Sequence, residues 1–259
     1  MPQFIYIPAD SQDLDSFIMT VKTDNAGTSN NDQFTIPIQP AFFYNYNVKT
    51  SDGQDINNAS TITFPSPGTY DIKITGTFPT ILFANGGDKN KLLDIKQWGN
   101  IVWSTLTSSF QGCFSLGDVS ATDTPDLSTA TKITGTFRGS SLTSINFNDW
   151  DVSNIDDVNQ FLLDTDFLDV SFSNWSVHQI RTFTNFARDI GMSTSNYDAT
   201  LVGWEANIQS VYPSGAGYPN GSYAVNFRGV TYTSGGAGEI ARASLITNFG
   251  WSFTDGGGV

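Results

Sequence analysis

"NDWDVSNIDDVNQFLLDT" (Asn148–Thr165) and "SNWSVHQIRTFTNFARDI" (Ser173–Ile190) share few identical residues, yet their apolar positions coincide. Take Leu162 and Ala187 as a common reference; Phe110 and Phe137 then occupy the same place, at steps of 27, 25 and 25 residues. Four residues earlier stand Leu106, Ile133, Val158 and Phe183, and seven earlier Trp103, Ala130, Ile155 and Ile180. Twelve earlier are Trp98, Pro125, Trp150 and Trp175, and fifteen earlier Ile95, Thr122, Phe147 and Phe172. Self-similarity at a period near 25 residues predicts stacked units that bury their apolar sides against one another. The −7, −4 and 0 positions have the spacing of one helical face. The −17 and −15 positions (Leu93/Ile95, Ile145/Phe147, Val170/Phe172) alternate as a strand does. Each unit is therefore expected to hold a short strand, a turn and a short helix.

Outward from the repeats, the texture changes at both ends. Residues 1–85 carry short β-type runs: "FIMTVKT", "FTIPI", "FFYNYNVKT", "STITF" and "TYDIKITG", separated by turn-rich stretches such as "DNAGTSNND" and the Asp52-Gly53 pair. They predict a small antiparallel sandwich. After Ile190, "STSNYDATLVGW" predicts a helix capped by Ser195 or Asn196, and "GEIARASLITNFG" a helix stopped at Gly250. "WSFTDGGG" closes as an edge strand. The expected fold class is β-rich α+β: an N-terminal antiparallel β-sandwich (1–85), a short leucine-rich-repeat-like strand–helix solenoid of four repeats (86–190), and an α/β C-terminal cap (191–259).

The composition agrees with that class. Of 259 residues, 39% are hydrophobic and only 14% charged, so Ser, Thr, Asn, Gln and Gly must cover the surface. A net charge of −13 repels phosphate backbones and anionic lipid, which excludes nucleic acid and membrane as partners. No apolar run has the length of a membrane span. The start, "MPQFIYIPADSQDLDSF", has neither the basic nor the apolar region of a signal peptide.

The repeats resemble those of the BspA-like leucine-rich-repeat surface proteins, whose unit reads roughly W-[DN]-V-S-N-V-T-D-M-x-x-M-F. "WDVSNIDDVNQFL" and "WSVHQIRTFTNFA" match it by pattern, with Val, Phe and Leu in place of the methionines. "PGTYDIKITGTFPTILFANGGDKNKLLDIKQWGNIVW", "STSNYDATLVGW" and "ARASLITNFGWSFTDGG" resemble segments around such repeats, so the likeness runs from about Phe17 onward. The resemblance implies a leading PKD/Ig-like sandwich and an extracellular binding or structural role with no catalytic residues. The chain departs from the family at Val48–Gly53, which keeps only Asp52 and Gly53 of the acidic-aromatic turn.

Motifs for chemistry are sparse. Cys113, the only cysteine, lies between apolar residues in "SFQGCFSL" and reads as a core thiol. His178, the only histidine, sits in a polar slot of a repeat, where a triad or a zinc site would lack its companions. The acidic runs "GDVSATDTPD" and "DTDFLD" do not match a calcium loop and read as surface carboxylates. Trp98, Trp150 and Trp175 could form an exposed sugar-stacking row or fill the interval between units; a fixed register among apolar neighbours favours the core. Asn58, Asn174 and Asn220 carry the glycan-acceptor pattern, which matters only in a eukaryotic secretory pathway. Any specificity should be written where the copies differ, at Asp156, Asp157, Gln179 and Arg181.

The expectation is a non-enzymatic bacteriophage virion surface protein without catalytic, cofactor or metal sites: a head decoration, fibre or tail attachment module. Its partners would be other virion proteins, docked through the N-terminal strand "QFIYIPAD", and a host surface protein or glycan, and the chain could oligomerise. The alternative is a bacterial cell-surface or secreted adhesin. A carbohydrate-active enzyme is the third class and would need two carboxylates at catalytic separation.

Overall fold

The computed structural model describes residues 13–165, 168–219 and 223–259. The expected docking strand "QFIYIPAD" and the acceptor Asn220 lie outside them. Seven strands come first: β1 (Phe17–Lys22), β2 (Gln33–Thr35), β3 (Asn45–Thr50), β4 (Asp55–Asn57), β5 (Thr61–Thr63), β6 (Thr69–Thr77) and β7 (Leu92–Gln97). Five of them form an antiparallel sheet in the order β4-β3-β6-β1-β7, while β2 pairs antiparallel with β5. Period-2 patterning puts Phe17, Met19 and Val21 of β1, Tyr46 and Val48 of β3, and Ile72 and Ile74 of β6 in the core. Phe34 of β2 and Ile62 of β5 enter the same core.

Two buried charged side chains, Asp88 and Lys91, tie the long β1–β2 connection down. Asp88 accepts from the backbone N–H of Thr28 (2.8 Å), Ser29 (2.9 Å) and Thr35 (2.7 Å). The Lys91 ammonium donates to the carbonyls of Ser29, Asn30 and Gln33 at 3.1, 2.8 and 2.9 Å and to Ser29 Oγ at 2.8 Å. Both residues are sealed from solvent, so their charges persist only because every polar valence finds a partner.

β7 joins this sheet to the repeats. It pairs antiparallel with β1, and on its other side Asp94 forms a parallel bridge with Asp118, which bridges on to Ser144. The Leu93/Ile95 strand expected of the first copy is therefore also the edge of the N-terminal sheet, and the boundary expected near residue 85 falls ahead of it.

From Trp98 to Ile190 the repeat register is a burial register. Every residue at the 0, −4 and −7 positions is at most 1% exposed, and Trp98, Pro125, Trp150 and Trp175 are buried. Thr122 alone breaks the −15 row by lying exposed. The expected helices are absent among the described residues of this stretch, which hold one 3-10 turn, Val177–Gln179. The reason is conformational. Ser108, Gly135, Gln160 and Asn185 at −2, and Gly112, Gly139, Asp164 and Asp189 at +2, all have φ between 52° and 72°. A right-handed helix cannot contain such residues, and Gly, Asn and Asp are the types that tolerate them.

Reverse turns replace the helices, and their amides alternate in destination. Those of Arg138 and Ser140 close their own turns onto the carbonyls of Gly135 and Phe137. Those of Gly135, Phe137 and Gly139 cross to the next copy, onto Asn159, Phe161 and Leu163. The same crossing joins Ser108, Phe110 and Gly112 to Thr134, Thr136 and Arg138, and Gln160 and Leu162 to Thr184 and Phe186. Parallel bridges Lys132–Asp157–Thr182 make a second ladder on another side. Between the ladders, equivalent aromatic rings stack: Phe110 on Phe137 at 5.3 Å and Phe147 on Phe172 at 5.6 Å.

The C-terminal residues extend and cover this arrangement. Helix α1 (Thr194–Val211) is capped by Ser193, two residues before the expected Ser195, because Ser193 is extended (φ −68°, ψ 153°) and accepts from the Asn196 N–H. Trp204 of α1 donates from Nε1 to the Phe172 carbonyl at 2.8 Å, as Trp175 does to Phe147 at 2.7 Å. The helix thus supplies the tryptophan of a further unit. Gly203 permits the approach, since a Cβ there would stand 2.0 Å from the Ser173 carbonyl oxygen. Beyond it, β8 (Tyr223–Asn226) and β9 (Trp251–Thr254) pair in parallel and flank α2 (Ala237–Phe249). α2 stops at Gly250, in the left-handed conformation at φ 70°. Ala187 N–H donates to Asn226, and Phe227 N–H to Thr254, so the ladder runs on into this segment. The molecule is β-rich, and no described helix is long and apolar enough to cross a membrane.

Candidate functional site

The structure disperses the residues that could carry chemistry. Cys113 is fully buried, and burial pushes its thiol far above the ordinary range, so it stays a protonated core side chain. His178 Nδ1 lies 3.1 Å from Ser176 Oγ, its N–H donates to Asn207, and its carbonyl accepts from Arg181. Among the described residues no carboxylate hydrogen-bonds the ring, so the Ser–His contact lacks the acid that would orient it for nucleophilic catalysis.

The acidic runs hold the backbone in place. Asp123 accepts from the Trp98 and Gly99 N–H groups at 2.8–3.0 Å. The hydrogen bonds of Ser128 hold Asp126 below the usual carboxylate range. Burial pushes Asp169 upward, but the bonds it accepts from Ser193 and Asn196 outweigh that and hold it low. Asp164 pairs with Arg188 at 2.8 Å. Asp166 lies outside the described residues. Asp52 accepts from Gln54 within the turn that Gly53 closes at φ 92°. Among the described residues no group of three or more His, Cys, Asp or Glu is placed to hold a metal ion.

The tryptophans make no sugar platform: Trp98, Trp150 and Trp175 are at most 3% exposed. Trp98 and Trp150 meet edge to face at 5.4 Å although one whole copy separates them in sequence, because Pro125 leaves room between. Asn58 and Asn174 are exposed, but both stand in the hydrogen-bonded framework: the Asn58 side chain accepts from the Tyr46 N–H and the Asn174 N–H donates to Asn148.

What faces outward is the polar row beside the second ladder. Thr131, Asp156 and Arg181 follow one another, as do Lys132, Asp157 and Thr182, each 25 residues on. Gln179 is exposed, and Arg181 N–H donates to the Asp156 carbonyl at 2.7 Å. Lys132 reaches Asp157 at 3.8 Å across adjacent copies. The backbone is thus held fixed while the side chains it displays change from copy to copy. A second, charged row runs along the turns, where Arg188 contacts Asp164 and Asp189 and Arg228 pairs with Asp189. Sequence reasoning missed this row because its signal is the recurring Gly or Asp at +2, which the helical spacing overshadowed. The chain matches no family model, no curated protein and no solved structure.

Proposed function

We propose that this chain is a non-enzymatic binding or structural module on the surface of a bacteriophage virion. In this reading residues 92–190 form a four-coil solenoid of the BspA-like kind, set between a PKD/Ig-like β-sandwich and an α/β cap. One observation carries it: the repeated positions are buried, Thr122 excepted, while the polar positions beside them are outward and variable. That is the economy of a display scaffold, in which backbone ladders fix the geometry and surface side chains choose the partner. Placement on a particle is supported by the likeness of the repeats to surface proteins and by an exterior rich in amide and hydroxyl groups. The partners would be neighbouring virion proteins, joined through the N-terminal segment, and a protein or glycan of the host surface. A cell-surface adhesin would use the same outward row, so the test must separate the two locations. Particles released from the strain that carries the coding sequence are purified and analysed by mass spectrometry and by immunogold labelling. The chain is expected in stoichiometric amounts on the particles; finding it only in the cell-envelope fraction would overturn the assignment.

A further inference from the structure

The second copy breaks the repeat rule twice. Where its neighbours carry Phe or Ile at −15 it has Thr122, and where they carry Trp at −12 it has Pro125. Local violations of an otherwise consistent pattern concentrate at functional sites. Of the two, Thr122 lines a cleft of about 580 Å3, together with Lys96 and Gln97 of β7, Asn100, and Asp149 of the third copy. That size falls within the roughly 300–1,000 Å3 of small-ligand clefts. Among the described residues no hydrogen bond crosses from 121–127 to 146–153, whereas Asp123 ties the second copy to the first and Asn148 ties the third to the fourth. Thr122, Thr124 and Asp149, on the two sides of this interval, line the cleft.

Its polar lining has a particular bias. Gln97 and Asn100 spend their amide nitrogens on Asp13, Ser16 and Asp15, and their carbonyl oxygens have no partner among the described residues. Asp149 uses one oxygen on Asn146, and the other has no partner among the described residues. The hydroxyls of Thr122 and Thr124 have no partner among the described residues. The cleft therefore offers mainly acceptors, with Leu14, 64% exposed, as its apolar wall. Lys96 is engaged by both oxygens of Asp71 at 2.8 and 2.9 Å, and the carboxylates of Asp123 and Asp149 leave the local charge negative.

We propose that this cleft binds a neutral oligosaccharide. A ligand that fits must donate many hydrogen bonds, carry no negative charge and present a modest apolar face, which describes a run of neutral sugar rings. The Asp123 carboxylate, saturated by backbone N–H groups, acts as a strut, so the site binds the saccharide without cleaving it. This goes beyond the particle assignment, since saccharide binding by the cleft holds on a particle or on a cell.

Saturation-transfer NMR on the intact chain tests it. The probes are neutral di- to pentasaccharides of glucose, galactose, mannose and N-acetylglucosamine, with trigalacturonate as the charged control. At least one neutral probe should show transfer and trigalacturonate none. Thr122→Phe, which restores the repeat's aromatic and fills the cleft, should weaken binding at least 10-fold without lowering the melting temperature. Should that variant misfold, Asp149→Ala, at an exposed position, is expected to weaken binding in the same direction. Absence of transfer from every neutral probe, equal transfer from trigalacturonate, or undiminished binding by both variants would overturn the proposal, and none of these outcomes bears on where the chain resides.

Discussion

The N-terminal sheet and the repeated segment solve one problem by different means. In the sheet, backbone groups pair along strands of up to nine residues, and side chains alternate between core and solvent. In the repeats, runs are too short for named strands, and backbone groups pair between reverse turns about 25 residues apart. The sheet fixes its long connection with two buried charged side chains, Asp88 and Lys91. The repeats rely on stacked aromatic rings and on left-handed residues at two fixed places per copy. The comparison teaches that burial registers can look helical while the backbone is not: any tight path that returns to the core every three or four residues leaves the same imprint.

Substitutions can break this comparison or sharpen it. The largest effect is expected at Ile155, fully buried in the third copy. Ile155→Asp buries an unpaired charge and should cost about 3–5 kcal/mol, a fall in melting temperature on the order of 10 °C. An unchanged melting temperature would remove Ile155 from the core. On the sheet side, Lys91→Met keeps most of the length of the side chain and strands the carbonyls of Ser29, Asn30 and Gln33, at a cost of about 3 kcal/mol. Hydrogen exchange should then accelerate at residues 24–33 and leave the repeats near their former rates; equal acceleration throughout would show that Lys91 is not a local clamp.

Gly139→Ala gives a test of sign. Its φ is 62°, and a Cβ would meet nothing within 4 Å, so only the backbone conformation counts. A left-handed turn predicts a loss of about 1 kcal/mol, whereas a helix would gain about as much from the same change. Chemical denaturation distinguishes the two. The smallest effect concerns acid. Burial raises the Asp88 pKa, but the hydrogen bonds of Ser29 and Thr35 and the charge of Lys91 outweigh it, so the carboxyl titrates below its ordinary range. Its contribution is therefore complete above about pH 4, the unfolded value, and disappears as pH falls through the lower folded-state value. Asp88→Asn should be less stable at pH 7 and lose less on acidification; an acid slope identical to that of the parent would exclude Asp88 as a source.

Much of this architecture was legible in the residues. The 25-residue period, the buried tryptophans and the stop at Gly250 follow from apolar register and from glycine's freedom at positive φ. The strands β1, β3 and β6 announce themselves by alternation. The helix expected in each copy failed because spacing reports only burial. Ser108, Gln160 and Asn185 occupy left-handed positions that their side chains do not advertise as glycine would. Lys91 was illegible as well, since its cage of carbonyls comes from residues about 60 positions away. The cleft was visible only as one irregularity, Thr122, whose meaning depends on what stacks on either side.

The central claim is that equivalent turns are joined amide to carbonyl into one ladder. Native-state hydrogen exchange on the amides of Gly135, Phe137, Gln160 and Leu162 tests it most directly. The account predicts strong protection at all four, with similar opening free energies, because each crosses to the following copy. Exchange at the rate of exposed loops at these amides, beside protected β1 and β6, would contradict it.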